Sequence, residues 1–419
     1  MSRLSLLVAV CLLAGCRARS PHGQGREHPE PTPTTSTRSP LDVEVSAKPV
    51  APAGKDFIEE AKALYRVVAC GGKAAVPAEL DANVVAEHCR ELDTMLAAYR
   101  RSYIGVATPF FTQVRPADIP QSVVYPFSGG DLSTALLTYP DATDYTTLSL
   151  ELVGDPRRLH GLAAKPLAAS LRKLRRELAE LLQVDTYSKS ETLKQTQQGE
   201  LPGELSFFLV AMALHGYEPV SLKYFYLEEG GTLHYLTEAE IAAREGELAE
   251  HRKHSWIPPD FSVSFANSEL TFRKIGDPSA PLKVHRHMAV NLDDDHIGSD
   301  RPLWTFLRGK GDVAAMTKAA SYLLWRPDFS VVRDYLLERA VFMFSDSTGV
   351  PPLDLSANLT QEVYGKFAGS LLKTDSAPNL SMVSLFRAQP YRALPFRYGY
   401  GDRMKQNHLI VTKRKPASP

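Results

Sequence analysis

The chain has no charge bias: 48 Lys+Arg stand against 48 Asp+Glu over 419 residues. No basic stretch accumulates, so a nucleic-acid partner would find no electrostatic footprint. After the first fifteen residues no apolar run approaches the ~20 residues that a membrane-spanning helix needs. No internal repeat is visible, and no G-x-G-x-x-G series. Cysteine is scarce, at four residues, and two of these fall within the first sixteen. What is there is ordinary for a globular protein, with 44% hydrophobic and 23% charged residues. The length past the N-terminal region is enough for one large or two medium domains.

The most specific stretch comes first. Leu4 to Gly15 is largely apolar, follows Arg3, and ends in Leu13-Ala14-Gly15-Cys16. It is too short to span a bilayer and fits a secretory signal. The final four residues resemble the lipobox of bacterial lipoproteins. That resemblance implies cleavage before Cys16, lipidation of Cys16 and anchoring in the cell envelope, with residues 1–15 as signal peptide. An ordinary cleaved signal with an incidental cysteine is the alternative. Arg17 stands where an inner-membrane retention signal more often has Asp, which favours the outer membrane, facing the periplasm or the surface. Residues 16–54 are rich in Pro, Ser, Thr and charge. They cannot bury enough apolar surface to offset chain entropy and read as a tether, with a reach of roughly 35 Å.

Cys70 and Cys89 remain for an oxidising compartment. Cys70 ends a helical pattern (Phe57, Ile58, Ala61, Leu64, Tyr65, Val68), and Gly71-Gly72 stops it. Cys89 shares a face with Val85, Leu92 and Leu96 of the next pattern. A disulfide would pin this hairpin, residues 55–105; two separate buried thiols are the alternative. Only His88 is near, adjacent to Cys89 on its helix, which argues against a metal.

Residues 106–419 read as α/β. Gln121-Tyr125 is a β run, Phe127 to Asp131 a glycine turn, Leu132 to Leu137 a short helix, and Tyr145-Leu150 a second β run. This is a compact βαβ unit with parallel strands. Leu167, Leu171, Leu174, Leu178 and Leu181 mark an amphipathic helix. Phe207-Leu214 is an apolar helix, and Val220-Leu227 a strand. Glu238-Glu250 is a solvated helix. Phe261-Phe265, Leu270-Ile275 and Leu282-Val290 suggest an antiparallel insertion near 261–290. Val313-Leu324 and Phe329-Glu338 show helical patterns. Ala340-Phe344 and Asn407-Thr412 are strands.

Three places carry candidate chemistry. Ser128, Gly129, Gly130 and Asp131 form a strand-to-helix turn that exposes backbone N–H groups, and Glu151 ends the next strand, where dinucleotide-binding folds hold a ribose with an acid. Asp131 would repel a phosphate, and its simplest role is to cap its helix. His285 and His287 share one strand face and can meet one metal; Asp293-Asp294-Asp295-His296 follows. Ser345, Asp346 and Ser347 follow a buried strand, and a serine nucleophile there needs a base such as His160, His215 or His408. A Ser170-x-x-Lys173 match lies on a charged helix face and is set aside.

Val123 to Glu151 is similar to the opening of a Rossmann-like methyltransferase, and Asn407 to Thr412 resembles that fold's last strand. The single Gly-Gly pair departs from the cofactor-binding pattern, and no cofactor is expected. Tyr125 to Asp131, Lys318 to Leu324 and Ser345 to Pro351 together resemble an uncharacterised group of bacterial lipoproteins. That resemblance marks these stretches as of interest and adds no chemistry.

The expectation is a Rossmann-like α/β protein, mostly parallel, with an antiparallel insertion and an N-terminal helical hairpin. It is anchored to the membrane through Cys16 and binds an envelope protein or a small polar ligand without catalysis. Ser128, Gly129, Gly130, Asp131, Glu151, Ser345, Asp346 and Ser347 would line one crevice at the strand ends and suit a neutral or cationic ligand, such as a sugar or amine. The alternatives are an envelope hydrolase using Ser345, Ser347 or a His285/His287 metal, and a degenerate methyltransferase-like enzyme.

Overall fold

A computed structural model describes residues 54–184, 200–252, 263–318, 320–346, 349–367, 376–399, 401–402 and 406–415. The signal peptide, Cys16, nearly all of the tether and Ser347 lie outside the described residues.

The described strands are β1 Ser122–Pro126, β2 Asp144–Ser149, β3 Tyr217–Leu227, β4 Leu233–Tyr235, β5 Ser268–Lys274 and β6 Lys283–Ala289. They continue with β7 Val313–Thr317, β8 Ala340–Ser345, β9 Leu359–Gly365, β10 Gly401–Asp402 and β11 Gln406–Arg414. They make one sheet in the order β10-β11-β8-β7-β1-β2-β6-β5-β3-β4, with β9 on β11. The pairs β8–β7, β7–β1, β1–β2 and β2–β6 are parallel. In chain order these five strands stand 3-2-1-4-5, the order of a doubly wound sheet, and the order reverses between β1 and β7. The final strand β11 runs antiparallel between β8 and β9. The fold is Rossmann-like α/β, and the βαβ unit at residues 122–149 is present.

The five residues of β7 are all buried. This corrects the helix expected over Val313-Leu324. A short run of small apolar residues has no period of its own, and its burial on both faces makes it a central parallel strand. Only Ala320–Trp325 beyond it turns, as a 3-10 helix. In the first run of the expected insertion, Val263–Phe265 is a 3-10 turn and not a strand, while residues 261–262 lie outside the described residues. The other two runs are β5 and β6, an antiparallel pair. Because β6 pairs in parallel with β2, they continue the main sheet and do not branch from it.

Strand parity divides the core. Val123, Tyr125, Tyr145, Met316 and Phe344 face one helical layer. Val124, Leu148, Ala315 and Met343 face the other, with the helices Arg301–Gly309 and Ser330–Arg339. The first layer holds the helices Ile58–Val68, Ala82–Tyr99, Gly105–Val114, Leu132–Thr138, Ala164–Ala179 and Gly203–Leu214. Leu167, Leu171, Leu174 and Leu178 are buried, as their spacing demands. The helix Gly203–Leu214 is apolar on every side and is buried almost throughout. Asp81 caps Ala82–Tyr99 through Asn83 N and Val84 N, a contact worth ~1 kcal/mol. Cys70 and Cys89 stand in disulfide geometry, with S–S 2.00 Å and Cα–Cα 5.5 Å. The hairpin belongs to the same compact unit as the sheet.

Candidate functional site

The order reversal between β1 and β7 is where doubly wound sheets open a crevice beyond the strand ends. Here that place holds an ion pair. Lys318 directly follows β7, and its Nζ donates to Asp131 Oδ2 at 2.6 Å and to Thr134 Oγ1 at 2.7 Å. Both charged side chains are buried, at 2–3 % exposure. Asp131 also caps the helix Leu132–Thr138: its Oδ1 accepts from Thr134 N at 3.1 Å and Thr134 Oγ1 at 2.8 Å. The expected cap is therefore real, and it occupies only half of the carboxylate. Tyr125 donates to Oδ2 at 3.3 Å.

Tyrosines surround the pair. The Lys318 ammonium sits 5.8 Å from the centre of the Tyr398 ring. Burial, helped by the charges of Asp131 and Asp346, pushes the Tyr125 and Tyr398 hydroxyls far above the usual phenol range. Burial and Asp131 do the same to Tyr103, while Arg397 opposes them. Asp131 and Asp346 thus act on one cluster. Ser321 donates to Asp346 Oδ1. Gly399 lies so close that an added Cβ would meet Asp346 Oδ2 at 2.2 Å, and its φ is +63°; only glycine fits there. Three buried hydroxyls, on Ser128, Tyr103 and Tyr398, have no hydrogen-bond partner among the described residues. Phe127 holds φ +60°, a strained value for an aromatic residue, in the turn that carries Ser128.

The turn is packed tightly. An added Cβ on Gly130 would sit 3.0 Å from Phe207, on the helix Gly203–Leu214. Gly129 takes φ +51°.

Glu151 lies on a second buried cluster, centred on Thr147. The Thr147 hydroxyl meets His285 Nε2 at 2.8 Å and His287 Nδ1 at 3.0 Å. His287 Nε2 donates to the Glu151 carbonyl at 2.9 Å, so its Nδ1 is the acceptor for Thr147. Burial lowers the His287 pKa to about 4 and that of His285 well below the usual value. Glu204 reaches to 3.4 Å from His287 Nε2. Neither of its carboxyl oxygens has a hydrogen-bond partner among the described residues. Burial and the neighbouring Glu151 push its pKa well up. The two histidines do share a face, yet both are committed to Thr147. Among the described residues no group of three His, Cys, Asp or Glu side chains is arranged to hold a metal.

The structure thus brings Asp131 and Asp346 together and sets Glu151 apart with the histidines. Ser345 turns the other way. Its neighbour on β11 is Ile410, on the far face, and its hydroxyl accepts from Thr317 Oγ1 at 3.0 Å. Gly349 folds against its Cβ. His215 bonds Ser133 at 3.0 Å and His160 bonds Glu79 at 3.2 Å, away from Ser345; His408 stands on β11 two residues from Ile410, the partner of Ser345, and packs on Phe367 and Phe386. The acidic turn is structural. Asp293 bonds His296, and Asp294 bonds Ser330 and Val331.

Sequence reasoning did not single out Lys318, Tyr103, Tyr398 or Glu204 as site residues. Lys318 opened one of the stretches that the lipoprotein resemblance had marked. A lysine directly behind an apolar run was the available signal. The tyrosines arrive from chain segments nearly 300 residues apart, which no local pattern links.

No protein family, curated protein or solved structure matches the chain.

Proposed function

We propose that the protein is a lipid-anchored cell-envelope protein that binds a small polar ligand, without catalysis, where β1 and β7 diverge. One observation carries the reading: the buried hydroxyls of Tyr398, whose ring centre lies 5.8 Å from the Lys318 ammonium, of Tyr103, and of Ser128 in the turn that carries Asp131 have no hydrogen-bond partner among the described residues. Buried hydroxyls without partners cost free energy, so a native protein keeps them for a reason such as a ligand or ordered water. The position supports it, since doubly wound sheets bind ligands at the order reversal. The Ser345 hydroxyl accepts from Thr317 Oγ1, which speaks against Ser345 as a nucleophile. The ion pair across the order reversal speaks against a nucleotide-type cofactor there.

Ligand binding is tested by thermal unfolding against a panel of sugars, amines, amino acids and inorganic phosphate. At least one compound raises the midpoint, and Tyr103→Phe with Tyr398→Phe removes that rise. A rise unchanged in the double variant would place binding elsewhere. The anchor rests on Leu13-Ala14-Gly15-Cys16 and the tether behind it. A palmitate analogue labels the native chain and not Cys16→Ser; equal labelling of both would refute lipidation at this cysteine.

A further inference from the structure

We infer that Gln389 and Arg392 seal the outer edge of β9 and keep this strand from pairing with β9 of a second copy of the chain. The inference concerns a surface apart from the proposed ligand site and does not rest on it.

Three strands have one strand neighbour among the described residues: β4, β9 and β10. β4 has three residues and β10 has two, which offers another chain little to pair with. β9 has seven, Leu359–Gly365, all paired with β11 on one side. The other side of such a strand is ready to pair with another chain unless it is blunted.

A short segment of this chain blunts it. The helix Ala377–Ala388 ends at Gln389, whose φ of −115° and ψ of 150° are extended, as the following Pro390 favours. The Gln389 side chain then acts as a peptide group would. Its Nε2 donates to the Gln361 carbonyl at 2.8 Å, and its Oε1 accepts from Val363 N at 3.3 Å. Arg392 continues the line. Its carbonyl accepts from Gly365 N at 2.7 Å, and its Nη1 donates to the Val363 carbonyl at 3.4 Å and to Gln389 Oε1 at 2.9 Å. Residues 361, 363 and 365 share the parity that points away from β11, so these are the groups an added strand would use.

The opposite end of the sheet is covered differently. Past β4, main chain bonds to β3: Leu236 N donates to the Tyr224 carbonyl at 2.9 Å and Phe57 N to that of Leu222 at 2.8 Å. On β9 the seal depends on two side chains, and the helix that delivers them fully buries Met382 alone. A segment with so little buried surface opens at low cost.

The strand's own pattern names the occupant. In an antiparallel pair of two β9 strands centred on Gln361, Leu359 faces Val363 and Thr360 faces Glu362. No like charges are opposed, and Leu359 with Val363 makes an apolar cross-strand pair. The two-fold axis closes the pair as a dimer.

The test uses the full chain with Cys16→Ser, so that no lipid contributes to association, and reads mass by sedimentation as concentration rises. Gln389→Ala with Arg392→Ala is expected to climb toward twice the parent's mass. Gln389→Glu keeps the shape, loses the donor to Gln361, and is expected to shift the same way by less. Val363→Pro added to the double variant removes an N–H that points away from β11 and is expected to restore the parent's mass. Amide exchange at Val363 is expected to quicken in the dilute double variant and to slow again in its dimer. A folded double variant that keeps the parent's mass at every concentration overturns the inference. So does association that Val363→Pro leaves unchanged, or a dimer in which the Val363 amide stays unprotected.

Discussion

Lys318 and Asp131 form a buried, directly bonded charge pair at the order reversal. Removing one partner of a buried pair strands the other charge, at a cost of roughly 3–5 kcal/mol. Lys318→Met is expected to lose about that much in denaturant unfolding. Lys318→Met with Asp131→Asn is expected to recover most of it, because Asn still caps the helix. Equal losses in the single and double variants would show that the pair is not coupled. Glu204 is a second case. Its carboxyl is held well above the ordinary range by burial and by Glu151. The folded chain therefore keeps a proton that the unfolded chain releases above the usual carboxylate pKa. Stability is lost as pH rises from that value toward the folded one. Glu204→Gln, which cannot ionise, is expected to remove this slope. Its melting midpoint should exceed that of the native chain at pH 7 and approach it near pH 4. Parallel curves across that range would refute the assignment.

Among the elements, the helical hairpin matters most to the site, since the turn directly beyond its second helix carries Tyr103. Cys70 and Cys89 close that hairpin. Cross-linking a loop this short restricts the unfolded chain by about 3 kcal/mol in the chain-entropy model. Thiol counting on unreduced, denatured protein with Cys16→Ser is expected to find neither of these thiols free. Cys70→Ser with Cys89→Ser should lower stability by about that amount. Two free thiols would refute the bond. Spacing alone made the hairpin legible, because leucine and valine at helical period must share a face. It could not make β7 legible, since Val313–Thr317 has no polar face to set a period.

At the scale of the whole molecule, four buried or half-buried histidines govern the response to acid. Burial is the leading cause that lowers the pKa of His88, His215 and His287 to about 4, and it lowers that of His285 well below its usual value. Each stays neutral in the folded chain and takes up a proton on unfolding below the ordinary histidine pKa. Their contribution is complete above about pH 6.5 and is lost as pH falls toward 4. Each group costs up to about tenfold in the folding equilibrium per pH unit in that window. An acid unfolding transition between pH 6.5 and 4 is expected. His285→Gln and His287→Gln should each make it shallower, and an unchanged slope would exclude them.

The pairing of Cys70 with Cys89 was one of two readings until the geometry chose it, whereas the α/β class, the βαβ unit at residues 122–149 and the amphipathic helices were legible in the chain alone. These follow from period, turn chemistry and the order of elements, which are local properties of the chain. It also marked Ser128 to Asp131 and Asp346 as positions at strand ends. Long-range packing alone set Lys318 against Asp131 and gave His285 and His287 one threonine to share. It alone turned Ser345 away from Asp346 and brought Tyr103 and Tyr398 to the same carboxylate, Asp131. Those outcomes depend on strand order and on the parity of side chains across a sheet. A shift of one residue along a strand would send each group to the opposite face, and no local pattern fixes which strands become neighbours.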